Sequence, residues 1–381
     1  MRDIVLFSLI GLAVGTWGSE TPVPSGVTTN QPAVSPVTNL VLDANEQFDA
    51  GMQLMREQKF GGAAEAFQRA IQARPIYPDA YNQWGIALVQ LGRQSLVPEQ
   101  RLQFYQQAAG RYSQSAQQNP TNKFTQLLWS DVLMIIGDMP VDGRVRLGCY
   151  QGAVEKCRRA AELAPTDWET LNKWGVLLST KLSDFAVDDN ACIQLYKEAA
   201  QHFSDASRQA RFSSEISPLY LNWGSALVRA ARLATSPEEK IQLLTDAISK
   251  FEGAARALPN YPVTYANWGN ALVARGKLSH LRSDFRDAID RLNTAISLNP
   301  KDSPVYYGLA RAYAILGNNV MAIQSLKDLK VSDGSTSLFK DVVNDPDFSS
   351  LSQDREFLDL ITPPGNRGVP FSNPPLRNLS Q

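Results

Sequence analysis

Five of the chain's seven tryptophans fall at positions 84, 129, 174, 223 and 268, in steps of 45, 45, 49 and 45 residues. Four of them sit in near copies of one phrase. These are Gln83-Trp84-Gly85-Ile86-Ala87-Leu88, Lys173-Trp174-Gly175-Val176-Leu177-Leu178, Asn222-Trp223-Gly224-Ser225-Ala226-Leu227 and Asn267-Trp268-Gly269-Asn270-Ala271-Leu272. Trp129-Ser130 is a worn version. A fixed period in this range marks a chain built from stacked supersecondary units, none of which buries its apolar face alone. That constraint overrides the two or three globular domains that a length of 381 residues would otherwise allow.

A second phrase follows each first one. It reads Ala63-x3-Phe67, Ala108-x3-Tyr112, Ala153-x3-Cys157, Ala199-x3-Phe203, Ala247-x3-Phe251, Ala288-x3-Leu292 and Ala322-x3-Leu326, and a proline closes most units at Pro75, Pro120, Pro165, Pro259 and Pro300. The fourth unit lacks that proline. Gly51, Ala63-x3-Phe67, Ala70 and Pro75 in 34 residues resemble the tetratricopeptide repeat, and the constellation recurs over residues 44–336. The resemblance implies an all-α fold, a right-handed superhelical solenoid of about seven helix hairpins. Unit boundaries fall near 44–77, 78–122, 123–167, 168–216, 217–261, 262–302 and 303–336, with about 41–49 residues in each of the middle units.

Each hairpin is then a helix A followed by a helix B. The glycine and small alanines mark a close crossing, and the ring of the Ala-x3-Phe step lies one turn on. Proline ends helix B and turns the chain toward the next helix A. Trp84, Trp129, Trp174, Trp223 and Trp268 replace the leucine usual in this family before the glycine, and facing helix B they are expected to be structural. The middle units depart from the family in length. Gly or Ser to Pro spans 35 residues in units two, three and five against 24 in unit one, and the added text stays helical. The hairpins there should be longer by a few turns and project along one edge.

Outside the repeats, residues 4–17 are apolar or small, preceded by Arg2 and followed by Glu20. Fourteen residues are too few for an ordinary membrane span but suit a secretory signal. Residues 1–18 therefore read as a cleaved signal or an uncleaved anchor, which places the protein outside the cytoplasm. The alternative is an accidental apolar start on a cytoplasmic adaptor. Residues 19–43 are rich in Pro and Thr and read as an extended spacer. Residues 337–361 carry two apolar stripes and read as a cap for the last repeat. Residues 362–381, with five prolines, read as a disordered tail.

The sequence offers little chemistry. His202 and His280 are isolated, and no metal-binding, phosphate-loop or nucleophile motif occurs. Cys149 and Cys157, eight apart on one predicted helix, are about 12 Å apart at 1.5 Å per residue, too far for a disulfide. With Cys192 they read as small buried apolar residues. A net charge of −1 argues against a nucleic-acid surface. These features predict no catalysis, no cofactor, no metal, no small-molecule substrate and no nucleic-acid partner.

The family instead presents a concave wall made by successive A helices. The stripe made by the residue before each tryptophan, with those three and seven positions beyond that residue, defines the wall here. From unit four onward it is polar and weakly basic, and Lys173, Asn222, Arg229, Asn267, Asn270 and Arg311 are the candidate contacts for a peptide or partner protein. The lysines of the clamp in tetratricopeptide chaperone adaptors are not in register, with Leu221 and Ala266 standing in their place. The expected function is a non-catalytic interaction scaffold. A self-assembling homo-oligomer and membrane association through residues 4–17 are the competing possibilities.

Overall fold

The computed structural model describes residues 36–333, 342 and 344–361, with side chains over 43–332, 342 and 344–361. The export segment 1–18, the spacer up to residue 35, part of the cap and the tail 362–381 lie outside the described residues. The described chain is helical and contains no strand. Its helices pair in order as seven hairpins: α1 (Pro36–Arg56) with α2 (Phe60–Ala73), α3 (Pro78–Gln94) with α4 (Pro98–Gln118), α5 (Lys123–Asp138) with α6 (Gly143–Leu163), α7 (Trp168–Leu177) with α8 (Asp189–Ser207), α9 (Ser213–Leu233) with α10 (Pro237–Ala257), α11 (Pro262–Ser279) with α12 (Arg282–Leu298), and α13 (Ser303–Leu316) with α14 (Asn319–Asp333). Each B helix also packs on the next A helix, so the hairpins stack without interruption. One correction concerns the spacer. Helix α1 begins at Pro36, so residues 36–43 are helical rather than extended. Proline in the first turn, where its missing N–H costs nothing, starts the helix there.

The crossing inside each hairpin depends on the absence of a side chain. A Cβ on Gly51 would lie 2.5 Å from the Phe67 ring, one on Gly85 2.5 Å from Tyr112, one on Gly175 2.7 Å from Phe203 and one on Gly224 2.6 Å from Phe251. Unit three has Ser130 in place of glycine, and it is also the unit where Cys157 replaces the ring. The smaller thiol leaves room for the hydroxyl, which donates to the Ala153 carbonyl at 2.9 Å and lies 3.2 Å from Cys157 Sγ. Burial pushes the Cys157 thiol up to about 11 and leaves it inert.

The lengthened hairpins repeat the device one heptad further along. Gly92 meets Tyr105 and Gly137 meets Tyr150, each with a would-be Cβ at 2.5 Å, and Gly276 meets Phe285 at 3.0 Å. Each second glycine follows the first small residue by seven positions, and each second ring precedes the first by seven. Helices α4, α6 and α10 run to 21 residues, against 14 for α2.

Proline sets the exits. The residue before each closing proline, Arg74, Asn119, Ala164, Leu258 and Asn299, has φ between −135° and −145° and leaves the helix, because the proline ring clashes with a helical predecessor. Unit four has no such proline, and Arg208 at φ −74°, ψ −19° stays helical. Its 49-residue step is now explained. Glycine to alanine is 24 residues rather than 23, and the added residue accompanies a π-helical turn, Leu178–Leu182, that continues α7. The other three extra residues lie between Ala199 and Trp223, in the connection without proline.

The five tryptophans are half-buried rather than sealed in the core. Each is roofed by the residue just before the ring position of its own helix B. Arg111 lies 3.8 Å over Trp84, Lys156 4.1 Å over Trp129, Lys250 4.0 Å over Trp223 and Arg291 4.1 Å over Trp268. In unit four His202 stacks on Trp174 at 3.8 Å and 24°. A cation over an indole face is attracted by the ring quadrupole and shields the apolar ring from water. The roofed faces are closed to a stacking ligand.

The last unit is covered by the chain itself. A 3₁₀ helix, Pro346–Leu351, and α15 (Arg355–Ile361) bury Phe348, Leu351 and Phe357 against Ala310, Ile323, Leu326 and Leu329. This supplies the successor that a terminal repeat lacks.

Two glycines test the crossing. Gly85→Ala forces a methyl into Tyr112 and should destabilise by about 1–3 kcal/mol. Gly110→Ala, in exposed helix with nothing within 4 Å of its would-be Cβ, should stabilise by about 0.5–1 kcal/mol. Urea unfolding of the two variants checks the opposite signs. His202 gives a pH prediction. Burial lowers its pKa below the usual 6.5, against opposing pulls from Glu198, 3.7 Å away, and Asp205. The unfolded chain therefore takes up the proton first, and stability falls as pH drops through and below about 6.5. His202→Gln should flatten the melting-temperature decline between about pH 7 and pH 5; an unchanged decline would remove His202 as its source.

Candidate functional site

The A helices form one wall, and the sequence-assigned residues lie along it in four successive units. They do not converge on a point. Most of them are engaged by the neighbouring repeat. Lys173 on α7 forms an ion pair with Asp131 on α5. Asn222 Nδ2 on α9 donates to Asn172 Oδ1 on α7 at 3.2 Å. Arg229 Nη1 donates to the Ser179 carbonyl at 3.5 Å, within the π-helical turn of unit four. Earlier along the wall Asn82 Nδ2 donates to Thr125 Oγ1 at 2.8 Å. These contacts tie one A helix to the next, so the polar stripe acts first as a set of couplings between repeats.

Arg311 is engaged most heavily. Its Nε lies 2.6 Å from Asp347 Oδ2 and 3.2 Å from Asp345 Oδ2. Lys277 Nζ on α11 reaches Asp347 Oδ1 at 2.7 Å, and the Tyr307 hydroxyl donates to Asp345 Oδ2 at 2.6 Å. Phe348 follows, buried edge-on against Tyr307 with ring centroids 5.9 Å apart. Asp345-Pro346-Asp347 thus lies across the A helices of units six and seven. Arg311, a candidate contact for a partner, is held by the chain's own aspartates, because the cap folds back over helix A.

Asn267 and Asn270 remain. Asn267 has no hydrogen-bond partner among the described residues, and Asn270 is exposed, with Oδ1 resting over Gly308 where a Cβ would collide. The wall of units two to four is otherwise a mixed surface of half-buried side chains, among them Gln83, Ile86, Gln90, Leu128, Ile135, Val176 and Thr180.

Lys277, Tyr307, Asp131 and Asn172 were not singled out from the sequence. Asp131 was on the stripe and its sign opposite Lys173 was readable one repeat apart. Lys277 and Tyr307 fall off the chosen stripe. Their signal is the pair of acids in Asp345-Pro346-Asp347, which need cations nearby once buried. Among the described residues no three His, Cys, Asp or Glu side chains stand together where they could hold a metal ion, and no helix is long and apolar enough to cross a membrane.

Comparison with known proteins agrees with this architecture. Two family profiles, each described as tetratricopeptide repeat, match residues 48–116 and 292–324. The C-terminal part of a TPR repeat-containing protein from Cytophaga hutchinsonii is similar over 78% of this chain and 100% of its own, at 15% identity and a TM-score of 0.54. Pseudomonas aeruginosa pilF is similar over 70% of this chain and 97% of its own, at 16% identity and a TM-score of 0.46. No curated protein matches the chain. Residues 48–116 and 292–324 are thus tetratricopeptide repeats, and the recurring glycine–ring crossings carry the same hairpin through an all-α solenoid of seven units.

Proposed function

We propose that the protein is a non-catalytic scaffold whose wall of A helices holds an extended segment of a partner protein. The observation that carries this reading is the intramolecular one. Residues 345–348 already lie on the wall of units six and seven, gripped through two carboxylates by Tyr307, Lys277 and Arg311 and anchored by one buried ring. Charge-assisted contacts fix the segment's register, and the aromatic anchor supplies buried area. The same wall continues through units two to five, where Ile86, Leu128, Ile135 and Val176 are half-buried between polar neighbours. That mixture suits a peptide bound by backbone-directed amides and a few shallow apolar contacts. The export segment read in residues 1–18 supports a partner outside the cytoplasm.

Site-specific photo-crosslinking tests the surface. A crosslinker at Gln83, Gln90 or Asn267 should capture one common partner, and one at Gln106 or Glu162 on the outer face of helix B should not. Capture from the outer positions with none from the wall would overturn the assignment. The role of Arg311 gives a second prediction. Arg311→Ala strips the buried aspartates of their main cation and should lower stability by about 1–3 kcal/mol, read as a fall in melting temperature. Asn267→Ala should leave the melting temperature unchanged while weakening partner binding.

A further inference from the structure

Successive units meet along two seams. One is apolar, between helix B of one unit and helix A of the next. The other is polar, between neighbouring A helices on the wall. At units two and three the polar seam is neutral, Asn82 to Thr125. At units four and five it joins Asn222 to Asn172 and Arg229 to a backbone carbonyl. At units three and four it is ionic. Lys123 Nζ reaches Asp167 Oδ2 at 3.1 Å, Lys173 pairs with Asp131, and Lys181 Nζ reaches both oxygens of Asp138 at 2.5 and 2.7 Å. Among the described residues, every ion pair that joins neighbouring A-helix segments lies at this junction.

The unit-four side of the junction is also the least regular. Helix α7 runs for ten residues before the five-residue π-helical turn. Ser179 donates to the Gly175 carbonyl at 2.8 Å, Thr180 to Val176 at 2.7 Å and Ser183 to Ser179 at 3.1 Å. Hydroxyls bonded back onto the helix in this way loosen and bend it.

The geometry points to a salt-sensitive hinge between units three and four that sets the aperture of the wall. The axis is the apolar seam in which Trp174 and Leu177 pack on Ala153, Cys157 and Val154. The latch is the row of three lysine–aspartate pairs across the wall. Single exposed pairs contribute little, but these three act in parallel on one seam. Their side chains keep 13–40% of their exposure, so solvent ions reach them. Raising salt shortens the screening length from about 30 Å at 0.01 M to about 3 Å at 1 M, which weakens the latch. The apolar axis carries no charge, and units four and five are joined by one ion pair, Lys197 to Glu239 between their B helices, rather than by a row across the wall, so opening concentrates at the junction of units three and four.

Pulsed electron-spin distance measurements on the full chain test the hinge. Spin labels at Leu96→Cys and Val187→Cys occupy the exposed turn tips of units two and four, on either side of the junction. The half-buried Cys149 is replaced by Ser; Cys157 and Cys192 are buried. Between about 0.02 M and 1 M sodium chloride the 96–187 distance should shift by several ångströms and broaden. The Asp131→Asn, Asp138→Asn double variant should show the shifted distribution already at low salt. A control pair at Val187→Cys and Leu281→Cys, spanning units four to six, should hold constant. A 96–187 distance that ignores salt overturns the hinge, and so does an equal shift in the control pair. A double variant that tracks the parent at every salt overturns the latch. Circular dichroism on each variant confirms the helical content, and the salt titration of the parent needs no variant at all.

Discussion

The contact on which the rest depends is the collision that does not happen between a glycine of helix A and a ring of helix B. At 2.5–2.7 Å from a would-be Cβ, the two helices are as close as that pairing permits. The distance fixes the depth of each hairpin, and the depth fixes where the indole beside the glycine ends up. Unit three closes its crossing with different parts, trading glycine and ring for Ser130 and Cys157 and gaining a buried hydrogen bond. The second glycine–ring contact in the long hairpins answers the same need. Helices extended by two turns would splay without another clamp near their far end.

Much of this was legible in the sequence because it is local. The Ala-x3-Phe step, read seven times, gave the number of hairpins, and the prolines gave their exits to within a residue, since a proline acts on its own predecessor. The heptad between paired glycines, Gly85 to Gly92 and Gly269 to Gly276, was present in the text and would have located the second clamp. So was the run Arg111, Lys156, His202, Lys250 and Arg291, each one place before the Ala-x3-Phe ring position. That run roofs the indoles and accounts for their half-buried rather than sealed position. Residues 36–43 were misread because their β-branched side chains argue weakly against a helix, while Pro36 in a first turn argues for one.

The wall was legible only in part. Helical periodicity says which residues share a face, and it placed Lys173, Asn222, Arg229 and Arg311 on the wall. It does not say what stands opposite them, because that depends on a repeat some 45 residues away or on a cap that folds back from the chain end. Lys173 found Asp131, and Arg311 found Asp345 and Asp347. A polar stripe on a solenoid therefore has two competing uses, coupling the units and meeting a partner, and only coordinates divide the residues between them. Here the coupling claims most of the charged groups and leaves amides, Asn267 above all, facing outward.

The π-helical turn in unit four has a consequence for anything that reads this surface. Units two and three present their wall residues in phase, and so do units five and six. Between the two pairs the chain slips by one residue inside the hairpin and by three more in the proline-free connection that follows. The solenoid is two commensurate lattices joined at a dislocation. A ligand with its own regular spacing can match one half or the other, and a ligand that spans both must carry an irregularity to match.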